Sequence, residues 1–402
     1  MKNITISSLI APLIGFIVFT QYNVRNSDIK NIPTDSLTCT TPKLIIFDSL
    51  VIHDKISGFN EYMPLQLSPS GKLLLLMPGR GGKKMIFYNL PKKKIDHILD
   101  FSHLKKDGMY KEGIYNTGFI SDSVIAITFK NELFIYNIYS NKLISQTQMP
   151  IKGYYSSYTK TLLSIVTEKD TFLISQLYTG TKGKYESETD SFFDLSPVSI
   201  YQKSTNRFTT LKLPNSSLFK TKNLGQTIVS FNLIGNDIYF TVSPECTFYK
   251  FNLDRKSTEI TNFKTHRFKH QYSDSLKMLD HPAEFKNILK LSSSNFYTNS
   301  LTGNKDYLLI SYTKGLSNDE YNQTLSFETS ETDRALNYAK ARKSFVMFVN
   351  LKRMVNCGIQ QLPDNIEGAA LMMNDSTCIM KPKTAYFFRK DSIVIYTAKI
   401  KY

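Results

Sequence analysis

One short pattern recurs along this chain and limits what it can fold into. An aromatic or apolar strand ends in Asn, and an aliphatic residue, a polar turn and a second short strand follow. The pattern occurs as Phe87-Tyr88-Asn89-Leu90 before PKKKI, as Ile135-Tyr136-Asn137-Ile138 before YSNKLI, and as Lys250-Phe251-Asn252-Leu253 before DRKSTEI. Phe348-Val349-Asn350-Leu351, before KRMVNCGI, is a fourth copy. Ser199-Ile200-Tyr201-Gln202 is a degenerate copy, and Val394-Ile395-Tyr396-Thr397 is the last. Asn suits the end of a strand entering a tight turn, because its short side chain bonds backbone groups a few residues on. Between Tyr88, Tyr136, Tyr201, Phe251, Val349 and Tyr396 the intervals are 48, 65, 50, 98 and 47 residues. The shorter ones match repeats built from four strands.

The clearest copy, Pro64 to Leu99, shows what one repeat contains. Apolar pieces Leu65–Leu67, Leu73–Met77, Met85–Leu90 and Ile95–Leu99 are separated by SPSG, GRGG and PKKK. Short apolar runs split by Pro, Gly and Ser clusters predict an up-and-down sheet of four strands. Six such sheets predict an all-β, six-bladed β-propeller. The long intervals are accounted for by polar insertions near 179–197, 263–296 and 317–343, with short helices expected around Pro282–Leu291 and Asp333–Arg342. A seventh blade inside the 98-residue interval is the competing count. The strand Lys43–His53, KLIIFDSLVIH, precedes the first repeat without belonging to it, while the last copy lacks an outer strand. Pairing the two would close the ring and cover an exposed edge.

Ahead of that strand, Lys2 is followed by an uncharged run from Ile4 to Thr20. A positive start and an apolar stretch predict an export signal or an uncleaved N-terminal anchor. Residues 21–41 are polar and read as a tether. The expected organisation is a signal or anchor over 1–20, a tether over 21–41 and a single propeller domain over 42–402.

Composition adds exclusions. The formal charge is +16, yet only nine of the 50 basic residues are Arg. Arg is the side chain suited to bidentate phosphate recognition, so the excess is read as a solvated Lys surface and no nucleic-acid partner is expected. Four cysteines, with no C-x-x-C pair, rule out a disulfide scaffold and a zinc ribbon. A Cys357–Cys378 disulfide and two separate buried thiols both remain open.

No chemical motif stands out. Gly79-Arg80-Gly81-Gly82-Lys83-Lys84 resembles a phosphate loop, but Met77 and Lys84 occupy positions that need Gly and Ser or Thr. His266 and His270 stand at i and i+4 between basic neighbours that oppose a cation. No G-x-S-x-G elbow and no calcium loop is present. No cofactor, metal or catalytic residue is assigned. In a propeller the loops from second to third strand, and those between blades, collect at one face around the channel, an argument from fold alone. There they would bring together Arg80, Glu112, Tyr115, Glu245 and Glu367 as candidate binding residues.

The motifs SPSGKLLLLM, FYNLPKKKI and FIYNIYSNKLI, behind an export signal, resemble the six-bladed, TolB-like propeller proteins exported by Bacteroidota. The resemblance spans about residues 42–402, and it implies an extracytoplasmic chain of a group in which many are lipoproteins of unknown function. Cys39 lies too far beyond the apolar run for the usual lipidation box. The leading expectation is an exported, non-enzymatic, monomeric propeller in the periplasm or at the cell surface, binding a protein or glycan partner. Its membrane contact is through the N-terminus alone. The rival is a propeller hydrolase or lyase acting on an extracellular carbohydrate, with carboxylates lining the channel.

Overall fold

The computed structural model describes residues 20–22, 30–31, 41–53, 62–78, 84–100, 116–129, 132–149, 161–177, 196–211, 213–214, 217, 228–245, 247–262, 293–324, 331–383 and 392–401. Three strands come first: β1 (Thr20–Tyr22), β2 (Lys30–Asn31) and β3 (Lys43–His53). Blade 1 is β4 (Tyr62–Leu67), β5 (Leu73–Pro78), β6 (Lys84–Asn89) and β7 (Lys94–Asp100). Blade 2 is β8 (Asn116–Ser121), β9 (Val124–Phe129), β10 (Glu132–Asn137) and β11 (Lys142–Gln148). Blade 3 is β12 (Leu162–Val166), β13 (Thr171–Leu177), β14 (Ser196–Gln202) and β15 (Arg207–Leu211). Blade 4 is β16 (Ile228–Ile234), β17 (Asp237–Ser243), β18 (Thr247–Asn252) and β19 (Ser257–Asn262). Blade 5 is β20 (Tyr297–Gly303), β21 (Tyr307–Thr313), β22 (Ser344–Asn350) and β23 (Val355–Gln361). Blade 6 is β24 (Ile366–Asn374), β25 (Thr377–Pro382) and β26 (Ser392–Lys401), completed by β3.

The chain is therefore a six-bladed β-propeller of antiparallel blades, as its repeat predicts. Among the described residues, the 98-residue interval holds no seventh blade. Between β21 and β22 lie two helices, α1 (Asn318–Thr324) and α2 (Glu331–Ala341). The helix expected at Asp333–Arg342 is α2; the one expected at Pro282–Leu291 lies outside the described residues. A reciprocal cap starts α1: Glu320 N donates to Ser317 Oγ (3.2 Å) and Ser317 N to the Glu320 carboxylate (2.7 Å).

The expected closure by Lys43–His53 is present. β3 pairs antiparallel with β26 from Ser392 opposite His53 to Lys401 opposite Lys43. Two side chains of β3 are sealed on opposite sides of blade 6, Leu44 toward blade 5 and Ile52 toward blade 1. Gln360 on β23 then clamps the Leu44 backbone, accepting from its N–H (2.7 Å) and donating to its carbonyl (2.9 Å). Two short strands also precede β3: β1, which starts at Thr20, the last residue of the apolar run, and β2, within the stretch read as a tether. β1 lies parallel to β15 and β2 parallel to β19, each on the outer edge of its blade.

Six apolar clusters sit at the six blade-to-blade interfaces. The run Leu73–Met77 shows how one strand serves two of them. Leu73, Leu75 and Met77 face blade 2, whereas Leu74 and Leu76 face blade 6. Met85 and Phe87 on β6 divide from Ile86 and Tyr88 in the same way. Alternate residues of a strand point to opposite faces, so a middle strand buried on both sides reads as an unbroken apolar run.

The recurring Asn has a specific task. Its Oδ1 accepts backbone N–H groups of the turn from third to fourth strand: Lys92 N at Asn89 (3.0 Å), Ser140 N at Asn137 (3.0 Å), Arg255 N at Asn252 (2.8 Å) and Arg353 N at Asn350 (2.9 Å). Blade 3 has Gln202 in that place, and Asp170 from the neighbouring turn accepts from Ser204 N instead (2.9 Å). Burial works to raise the Asp170 pKa, but donors from Ser204, Gln202 and Thr171 outweigh it and hold the carboxyl down to about 2.

Phe87 is fully buried, with its ring edge-on to Phe119 at 5.8 Å. We expect Phe87→Ala to destabilise the fold by about 3–5 kcal/mol and Asn350→Ala by about 1 kcal/mol, read from urea midpoints. Deleting Lys43–His53 leaves β26 as an open edge, so size-exclusion chromatography is expected to show self-association that the full chain lacks.

Candidate functional site

Thr117 and Thr161, on the inner strands of blades 2 and 3, form a parallel bridge, so these neighbouring inner strands run the same way. Strand alternation then puts the second-to-third-strand turns and the blade-to-blade connections on one face, here called upper. The first-to-second and third-to-fourth turns lie on the lower face. Inner strands of adjacent blades are joined chiefly by side chains reaching backbone. Gln66 Oε1 accepts from Phe119 N (2.7 Å), Ser164 Oγ donates to Phe119 O (2.5 Å), and Ser230 Oγ donates to Thr298 O (3.2 Å). Ser300 Oγ donates to Ala369 O (2.6 Å), while Ala369 N donates to Ser311 Oγ (2.8 Å). The approach is so close that a Cβ on Gly118 would lie 1.8 Å from Leu162 O.

Of the five candidate residues, Arg80, Glu112 and Tyr115 lie outside the described residues, as do the Gly79–Gly82 loop and His266, His270 and His281. Glu245 and Glu367 are described, and they stand on blades 4 and 6 with blade 5 between them.

Glu245 occupies the turn between β17 and β18, just after the cis Ser243–Pro244 bond, and is only 3% exposed. Its carboxylate accepts from Ser217 Oγ (2.7 Å) and from the Tyr249 hydroxyl (2.9 Å). Burial and the adjacent Glu245 push the Tyr249 pKa well up, which keeps this hydroxyl a donor. The arrangement ties a tight turn to its own blade and turns the carboxylate inward.

Glu367, second residue of β24, stands at the upper end of the channel wall. Its Oε2 lies 3.0 Å from Lys381 Nζ, with both side chains about a quarter exposed. Its carbonyl accepts from Asn299 Nδ2 of β20 (3.1 Å). Beside this pair is a group that the sequence reading saw only as a helix end. Lys383 is 7% exposed and donates to the carbonyls of Ala339 (2.9 Å) and Arg342 (2.5 Å), capping the C-terminal end of α2, where the helix dipole favours a cation. The Arg342 guanidinium lies 5.3 Å from the Tyr297 ring and 5.4 Å from the Tyr338 ring, and donates to the Tyr338 hydroxyl (3.2 Å). Its Nε and Nη2 are buried without a hydrogen-bond partner. Lys343 pairs with Asp364 at 2.7 Å. The sequence signal was limited to basic residues late in a helix; the rings and Lys383 come from other elements.

Among the described residues no group of three His, Cys, Asp or Glu could hold a metal ion. No described helix is long and apolar enough to cross a membrane. Cys357 is disulfide-bonded, whereas Cys378 is a free, buried thiol whose pKa burial pushes up to about 12. The two share one apolar cluster, on β23 and β25, but are not bonded to each other.

Burial lowers the Lys383 pKa to about 8, against Asp364 and Glu367, which raise it. Between that value and the ordinary lysine value of 10.5, the unfolded chain holds a proton that the folded chain has released. Stability contributed at this site therefore rises with pH through that window, by up to about 1.4 kcal/mol per pH unit. Lys383→Met is expected to remove the rise, as measured by urea denaturation at pH 7.5 to 10.5 (about the lysine range).

No protein-family model matches the chain, and no curated protein does. Solved structures resemble it remotely. One is a Bacteroides fragilis protein named for inferred export, at TM-score 0.49 and 9% identity, covering 92% of this chain and 98% of that one. Another is the Cps50 (Swd1) β-propeller domain of Myceliophteria thermophila, at TM-score 0.45 and 8% identity, covering 89% of this chain and all of that one.

Proposed function

We propose that this chain is an exported, non-enzymatic propeller that uses its upper face, at the junction of blades 5 and 6, to bind a protein or glycan partner. The observation that carries this reading is the Arg342 guanidinium, held between Tyr297 and Tyr338 with two nitrogens, Nε and Nη2, lacking an acceptor. Buried donors without partners are costly in a folded chain, so a ligand acceptor that reached them through a shift of the α2 end would be favoured. Arg beside Tyr is also the composition enriched in binding hot spots. The Lys381–Glu367 pair, next to the channel, adds both signs of charge within one contact area.

Export is supported by the disulfide at Cys357, because such bonds form and persist in oxidising compartments. The apolar run from Ile4 to Thr20 supports it independently. The carbohydrate-cleaving alternative needs two carboxylates facing one another across an open channel. Glu245 is instead turned inward on hydrogen bonds and Glu367 is paired with Lys381, so we do not favour it.

The test is binding of the purified chain to a glycan array and to proteins of its own envelope, repeated with Arg342→Gln. Loss of at least tenfold in affinity, about 1.4 kcal/mol, with unchanged thermal stability is the expected result. Turnover of a polysaccharide panel that disappears in Glu367→Gln or Glu245→Gln would replace this reading with the enzymatic one.

A further inference from the structure

Two cationic side chains come together at the end of α2, and among the described residues neither is bonded to a carboxylate. Lys383, 7% exposed, donates to the carbonyls of Ala339 and Arg342. Arg342 donates through Nη1 to the Tyr338 hydroxyl (3.2 Å). The carboxylates that act on Lys383 are those of Asp364 and Glu367, and each is held by another lysine. Asp364 pairs with Lys343 at 2.7 Å, and Glu367 with Lys381 at 3.0 Å.

The open atoms of Arg342 define what would satisfy it. Nε and Nη2 are buried without a hydrogen-bond partner. Their N–H bonds point the same way along one edge of the planar guanidinium, and that edge matches the two oxygens of a carboxylate. The rest of the group is fixed. The Tyr297 and Tyr338 rings flank it at 5.3 and 5.4 Å, and the Tyr338 hydroxyl that holds Nη1 donates in turn to Ser293 Oγ (3.1 Å). The edge is thus oriented before any ligand arrives. A further open atom lies on the same face. Tyr297 stands opposite Thr313 and Thr313 opposite Ser344, so these three side chains share one face of blade 5. Ser344 Oγ is also buried without a partner.

We propose that this cluster takes the carboxylate of an acidic peptide, whose two oxygens accept from Arg342 Nε and Nη2 while Lys383 supplies a second positive charge beside them and the end of α2 shifts to admit the group. Charge-assisted bonds made in a site shielded from water are stronger than the same bonds at the surface. The inference rests on the partner reading above and narrows it to a peptide. A peptide is favoured over a glycan because the open edge is buried. An Asp or Glu side chain on an extended chain needs a narrower opening than a sugar ring does.

The test measures binding of the full chain to an extended Gly-Ser peptide bearing a pair of Glu, to the same peptide bearing Gln instead, and to an oligoglucuronate. The Glu peptide is expected to bind at least about tenfold tighter than the Gln peptide, as a bidentate charge-assisted pair requires. Arg342→Lys keeps the charge but loses the two-donor edge, and it should remove most of that difference. A peptide attracted loosely to the Lys-rich surface would bind that variant as well as the unaltered chain. Amide hydrogen exchange should change over residues 338–343 on binding, and not over residues 133–136 of blade 2. Because the comparison of Glu with Gln uses the unaltered chain, it decides the matter even if the variant fails to fold. Equal binding of the two peptides, undiminished binding to Arg342→Lys, or tighter binding of the oligoglucuronate would each overturn the proposal. A partner without a carboxylate whose binding needs Arg342 would overturn it too, while leaving the partner reading in place. Ligands of every kind indifferent to Arg342 would remove both.

Discussion

A β-sheet has two edges, and the unpaired backbone groups along them must find partners. Six separate blades have twelve edges, and much of this molecule is a response to them. On the axis, six inner strands cannot hydrogen-bond into one continuous sheet because the blades are splayed around the ring. Side chains of Gln66, Ser164, Ser230 and Ser300 reach across to backbone groups of the next blade instead. That contact is close enough to require Gly118, whose missing Cβ leaves room for Leu162 O. At the perimeter the N-terminal segment supplies strands, covering β15 with β1, β19 with β2 and β26 with β3.

The apolar interior depends on the same geometry. With every middle strand buried on both faces, side chains alternate between two interfaces and each blade is held by both its neighbours. No blade has a core of its own. The interface between blades 6 and 1 contains Ile52 of β3 beside Leu74, Leu76 and Ile395. The closing strand therefore belongs to the core as well as to the sheet, and the ring is complete only when it is in place.

What could be read in the sequence was whatever leaves a local, repeated mark. The Asn that ends the third strand of blades 1, 2, 4 and 5 was visible because it bonds residues two or three positions on, so its partner is in the same window. The continuous runs LLLLM and MIFY were visible because burial on two faces removes polar alternation. Closure by Lys43–His53 could be deduced because the strand is long and the last repeat lacked one. The strands β1 and β2 left no such mark, since pairs of two or three residues on an edge use backbone groups that every sequence has. Lys383 was equally hidden: its carbonyl partners are more than forty residues away on α2. Glu245 falls in the turn from β17 to β18, and Glu367 near the start of β24. Their partners Ser217, Tyr249 and Lys381, which decide whether either carboxylate is open, come from contacts no spacing rule reports. At the cysteines neither alternative holds: Cys357 is bonded to another partner, while Cys378 is buried and free.

The pairing of β3 with β26 also orders events in time. Thr397 Oγ1 donates to Asp48 O across 349 residues of sequence, so the strand made early in synthesis has no partner until nearly the whole chain exists. Contacts of this range make folding slow, because the loop they close must be brought together before any of them forms. Until then the interface of blade 6 with blade 1 stays open and the ring cannot lock. The seam between blade 6 and blade 1 is therefore the last part of the ring to become fixed, and the first place where the finished ring can come apart.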